Sequence, residues 1–291
     1  MARIFISPDE PRLRAGWRLL LHTLLLIVFS IVLYLPLSLL FLLKLMPPVT
    51  LLAGQVFSLL AITLSVYLAR RFFDRRSFLS LGLAWDNHAW RDMAFGFVVS
   101  GLMMGVIYLI EWAVGWLTFD GFAWDVQSSS QVTFSVLTGL FLFLMVGWAG
   151  ELLSRGYHLQ NLADGLNLPW GVILSSGVFG LLHLGNPNSS FSAALGIFAS
   201  GIFLAYGYLG TRKLWLPIGL HIGWNFFEGC VFGFQVSGLT GLPRLILQTV
   251  QGPEAFTGGA FGPEAGLVLI PGLLIGFACI YWYTKNRKLG N

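Results

Sequence analysis

A chain of 291 residues that is 56% hydrophobic and 10% charged, with a mean hydropathy of +0.76, is too apolar for a soluble domain of its length. Its net charge of +4 sits in short basic clusters at the ends of apolar runs, where membrane topology signals belong, so no nucleic-acid partner is read from it. The runs are long and continuous rather than alternating, which excludes a membrane barrel and leaves an all-α, polytopic integral membrane helix bundle.

The chain opens on MARIFISPDEPRLRAGWR, polar and basic, before a run too long for a signal-peptide core. It is expected to be retained as a cytoplasmic leader. Apolar runs at about 17–43, 49–69, 93–117, 132–149, 169–184, 190–210, 214–236 and 265–283 predict about eight transmembrane helices. The fifth is short for a full span, which suits a tilted helix or one that ends inside the bundle. Between the second and third, RRSFLSLGLAWDNHAWRD mixes Trp85 and Trp90 with charge and reads as an interfacial connector, with His88 given no chemical role. In linear order this gives an N-terminal membrane region 1–131, a core 132–236, and a loop with the last helix and basic tail, 237–291.

Lysine and arginine set the orientation, because basic loops are held on the cytoplasmic side. With the N-terminus inside, Arg3, Arg12, Arg14, Arg18, Arg70, Arg71, Arg75, Arg76, Arg91, Arg212, Lys213, Lys285, Arg287 and Lys288 all fall inside. Lys44 and Arg244 fall outside. Both termini are then cytoplasmic, and the 118–131 loop and the loop QGPEAFTGGAFGPEAG face outward. Cys230 and Cys279 form no metal-type spacing, and no inverted repeat of the transporter kind is visible.

Ionisable side chains inside hydrocarbon cost several kcal/mol each, so their placement is informative. Glu151, Arg155 and His158 recur at i, i+4 and i+7 on the fourth helix. His221, Asn225 and Glu228 repeat that spacing on the seventh, and His183 closes the fifth. Such spacing places each set on one helix face. Singly, each has a packing reading: an ion pair, a carbonyl-bonded imidazole, an interhelical amide. Together they are the parts needed to activate a water and hold an oxyanion. Glu111, His22 and His158 are read as packing or interfacial groups outside that set.

The stretches GELLSRGYHLQNL, FGLLHLGNPN and LWLPIGLHIGWNFF resemble the three motifs of the CPBP family, the CAAX prenyl endopeptidases and the bacteriocin-processing or Abi proteins. In that family the motifs read roughly EExxxR, FxxxH and HxxxN, and here they span about 132–236. The resemblance implies an intramembrane endopeptidase acting on a peptide or membrane-protein segment, in a bacterial-type plasma membrane. It implies that His183 helps activate the attacking water, that His221 and Asn225 hold the oxyanion, and that Arg155 orients a helix-four carboxylate. The first Glu of EExxxR falls on Gly150, and the second on Glu151. Three alternatives follow: Glu151 acts as base through a helix distortion, which Gly147 and Gly150 permit; Glu228 supplies the carboxylate; or the chain is a catalytically degenerate binding or immunity protein of the same family. The family is often called metalloprotease; His183, His221 and Glu151 would be the ligands of a zinc, which the motifs do not require.

Overall fold

The fold is that of a computed structural model in which residues 5–7, 10–44 and 47–287 are described. Arg3 and Lys288, two of the basic residues used for orientation, lie outside the described residues. Each of the eight apolar runs forms a helix. Besides a single helical turn at Glu254–Thr257, the helices among the described residues are α1 (Ala15–Leu42), α2 (Pro47–Phe72), α3 (Ala89–Ala113), α4 (Ser129–Glu151), α5 (Leu159–Gly165), α6 (Leu168–Leu182), α7 (Phe191–Thr211), α8 (Trp215–Asn225) and α9 (Leu269–Thr284). Among the described residues six helical stretches are long and apolar enough to cross a bilayer. The seventh and eighth runs fall short of the expected span. α8 has 11 regular residues before its geometry changes, and α9 has 16, which at 1.5 Å per residue is about 24 Å against the roughly 30 Å of hydrocarbon. Large apolar side chains face outward along the helices, Leu35 at 65% and Phe134 at 74% exposure among them. Lipid covers such surfaces at no cost; water would not.

The chain forms two compact units, Met1–Trp85 with Met145–Ser175 and Asp86–Leu144 with Ser176–Asn291. In the first unit α1 pairs with α2 as a helical hairpin and also packs on α5. Its polar centre is Asp74, fully buried, which accepts from Arg70 Nη1 at 2.7 Å, Arg18 Nη1 at 3.5 Å and Tyr157 Oη at 3.4 Å. Arg18 also pairs with Asp164, as does Arg12. Charges that read as topology signals are thus also the ties of this unit. Beside them His22, fully buried, lies against the Tyr157 ring with centroids 4.2 Å apart, a packed histidine as expected.

In the second unit α3 and α8 pack along their length, with α7 and α9 closing around them. Met103, Met104, Ile107, Leu216 and Leu220 form the core of that contact. Glu111 on α3 is fully buried rather than interfacial. Two short strands, β1 (Leu117–Phe122) and β2 (Ile246–Val250), pair antiparallel with a bulge at Asp120, and no alternating pattern in the sequence had signalled them. They join the two loops that the charge pattern assigned to one face. Arg287 of the basic tail and Tyr283 both donate to Asp92 at the start of α3, which ties α9 to it.

Candidate active site

The α8 motif owes its position to glycine. Gly219 and Gly223 are four apart and face α3, where a Cβ on Gly219 would stand 2.1 Å from Met93 O and one on Gly223 2.7 Å from Phe97 O. On the α3 side a Cβ on Gly96 would meet Leu216 O at 2.6 Å. The two backbones therefore touch directly, as in small-residue membrane helix pairs. Each glycine is followed two residues later by a motif residue, His221 and Asn225, and two residues turn the helix by about 200°. Close packing of one face on α3 so turns the imidazole and the carboxamide to the other. Ser100 Oγ adds a hydrogen bond to Leu220 O at 2.7 Å, which pins the turn before His221. His221 and Asn225 are 8% and 6% exposed.

His183 stands where α6 gives way to a tight turn, His183–Gly185. Its Nδ1 lies 2.7 Å from Phe179 O. A carbonyl only accepts, so Nδ1 carries the proton and the lone pair of the neutral ring sits on Nε2. That is the tautomer a general base needs, set by the backbone four residues earlier. The Phe179 ring stands edge-on to both imidazoles, 4.7 Å from His183 and 5.8 Å from His221 between centroids. The two histidines share one aromatic neighbour, which is the Phe of the FxxxH motif.

After Asn225 the helix widens to i→i+5 bonding over Phe226–Val231. Such wide turns re-aim the side chains they carry and gather at functional sites. Glu228, fully buried, is carried on this turn. Its electrostatic neighbour is Glu264, from the loop before α9, a residue to which the sequence reading gave no role. Glu264 is 4% exposed and accepts from Trp224 Nε1 at 3.1 Å and from Ser237 Oγ. Burial pushes the Glu264 carboxyl above the ordinary range, while Ser237, the nearby His221 and Trp224 hold it down. The only prior signal for Glu264 was its place in a Gly/Pro-rich loop, GGAFGPEAG. Such loops are more often turns than sites.

Glu151 and Arg155 lie in the first unit. Arg155 Nη1 donates to Glu151 Oε1 at 2.9 Å, and the pair is 1% and 0% exposed. Directly after Glu151 the helix widens to i→i+5 bonding over Leu152–His158, then resumes as α5. Gly147 and Gly150 stand in the regular part of α4, and the distortion begins on the C-terminal side of Glu151. A catalytic zinc needs about three converging protein ligands. Among the described residues no group of three or more His, Cys, Asp or Glu side chains is gathered to hold a metal ion.

The α6 and α8 motifs and the Glu151 turn lie within residues 132–227, which match the family model described as "Type II CAAX prenyl endopeptidase Rce1-like". The segment is Rce1-like. The match ends two residues after Asn225, so the Rce1-like segment holds His183, His221 and Asn225 and leaves out Glu228 and Glu264. The chain is also 28% identical over 250 residues to "Uncharacterized protein YyaK" of Bacillus subtilis (strain 168), covering 83% of this chain and 78% of that one. That likeness reaches well beyond the Rce1-like segment. No solved structure gives a significant match.

Proposed function

We propose that the chain is an intramembrane endopeptidase that hydrolyses a peptide bond in a peptide or membrane-protein substrate. The observation that carries this reading is the Nδ1–H···O bond from His183 to Phe179, which fixes a basic Nε2 inside the Rce1-like segment. In this reading His183 takes the proton of the attacking water. His221 and Asn225 donate to the oxyanion, and Glu151, held by Arg155, is the carboxylate of the helix-four motif. Fixed donors in a low-dielectric interior stabilise developing charge more than they would in water, because they need no reorganisation at the moment of reaction.

Gly150 favours a second reading, a binding or immunity protein that has lost its base, since a missing general base removes about 10²- to 10⁴-fold of rate. Purified full-length protein in detergent, offered a panel of peptides, separates the two. Cleavage by the natural chain that Asn225→Ala reduces supports the endopeptidase. Cleavage that appears only in Gly150→Glu assigns the natural chain to the second reading.

A further inference from the structure

Charge orientation set two basic residues apart from the rest, Lys44 and Arg244. In the second unit Arg244 lines two neighbouring cavities, of about 340 and 350 Å³. The first is lined by Gln248 and Val250, which share a face of β2 because they are two residues apart, and by residues of two loops, Phe234 and Gln235 in one and Thr257, Ala260 and Gly262 in the other. Arg244 is the ionisable residue of that lining, and no carboxylate shares it. Among the described residues its guanidinium has no hydrogen-bond or ion-pair partner. In the same wall the buried Oε1 of Gln248 accepts no hydrogen bond from any described group. The cavity thus presents a planar cationic donor together with an acceptor.

That combination discriminates between ligands. The phosphate group of a lipid satisfies the arginine but itself brings no donor to the carboxamide oxygen, which would have to come from a headgroup hydroxyl or ammonium. A peptide with an acidic side chain brings both, a carboxylate for the guanidinium fork and an amide N–H for Gln248. The place is also suited to a substrate. Gly262 belongs to the lining, and a Cβ there would lie 3.4 Å from Glu228 Oε1, so the wall of the cavity backs directly on the turn that follows Asn225. We propose that Arg244 and Gln248 form a subsite for an acidic residue of the peptide substrate, an inference that rests on the endopeptidase reading and extends it to substrate class.

The test is binding by the full-length protein in phosphatidylcholine nanodiscs, offered a synthetic hexapeptide pool whose members are paired, Glu against Gln at one position. Wild type is expected to retain the Glu members roughly tenfold over their Gln partners, the size of one charge-assisted contact. Arg244→Gln erases the preference, and Arg244→Lys keeps part of it, because the charge stays while the fork is lost. No Glu preference in wild type, or the same preference in Arg244→Gln, overturns the proposal. So does its loss in phosphatidylglycerol nanodiscs together with Arg244-dependent retention of that lipid, which would give the cavity to a lipid phosphate. Glu-selective binding without any cleavage would keep the subsite and remove the endopeptidase; cleavage without Glu selectivity would do the reverse.

Discussion

His183 and Glu264 show how backbone and loop chemistry define this site one side chain at a time. Because Phe179 O holds Nδ1–H of His183, replacing the imidazole would, on the endopeptidase reading, remove a base already set in its working tautomer. His183→Ala is expected to lower the cleavage rate by about 10²- to 10⁴-fold while leaving the thermal midpoint near wild type, since the ring is only partly buried. Glu264 is a different case, buried and bonded to both Trp224 and Ser237. Glu264→Leu strands those two donors and is expected to cost about 1–3 kcal/mol for each, read by thermal unfolding in detergent, whereas Glu264→Gln keeps an oxygen for the Trp224 N–H and offers an amide N–H that the Ser237 hydroxyl can accept, and costs less. The raised pKa gives that measurement a pH signature. A carboxyl that is harder to ionise when folded contributes stability that is complete below its ordinary value of 4.5 and is lost as pH rises through the higher folded value. Wild type should therefore lose midpoint with rising pH by an increment that Glu264→Gln does not show. His183, His221 and Asn225 were legible because their residue types and spacings are unusual inside apolar runs. Glu264 was not, because nothing in a Gly/Pro loop tells whether it folds back over a helix.

At the scale of elements, the helices of the eight apolar runs were legible, because length and composition fix a helix in lipid whatever its neighbours do, whereas the short α5 lies outside every run. What was not legible is where a helix changes pitch. The wide turns after Glu151 and after Asn225 depend on packing, and the i, i+4, i+7 spacing that placed Glu228 beside Asn225 assumes a regular helix that ends at Asn225. The strand pair was hidden for a similar reason: five and six residues in two distant loops carry too little pattern to announce a partner. The α3–α8 contact is the element on which the site most depends. Gly219→Ala is expected to cost roughly 1–3 kcal/mol by overpacking, since its methyl would meet Met93 O at 2.1 Å, and to lower cleavage with stability as the His221 turn is pushed off α3. The control is Gly177→Ala, where a Cβ meets nothing within 4 Å and the midpoint should not fall.

For the whole molecule, composition alone demanded a helical membrane protein, and the Rce1-like match over 132–227 agrees with the three motifs that suggested the family. The departure at Gly150 makes the reaction, rather than the family, the point to test. Hydrolysis by an activated water leaves a chemical record that binding or immunity functions do not. The direct measurement is therefore cleavage of a peptide panel by the full-length protein in liposomes made up in oxygen-18 water, with products weighed by mass spectrometry. The account predicts cleaved peptides whose new C-terminal carboxylate carries one oxygen-18, formed by wild type and reduced at least about 10²-fold in His183→Ala. Intact peptides with wild type, or equal labelled product from wild type and His183→Ala, would contradict it.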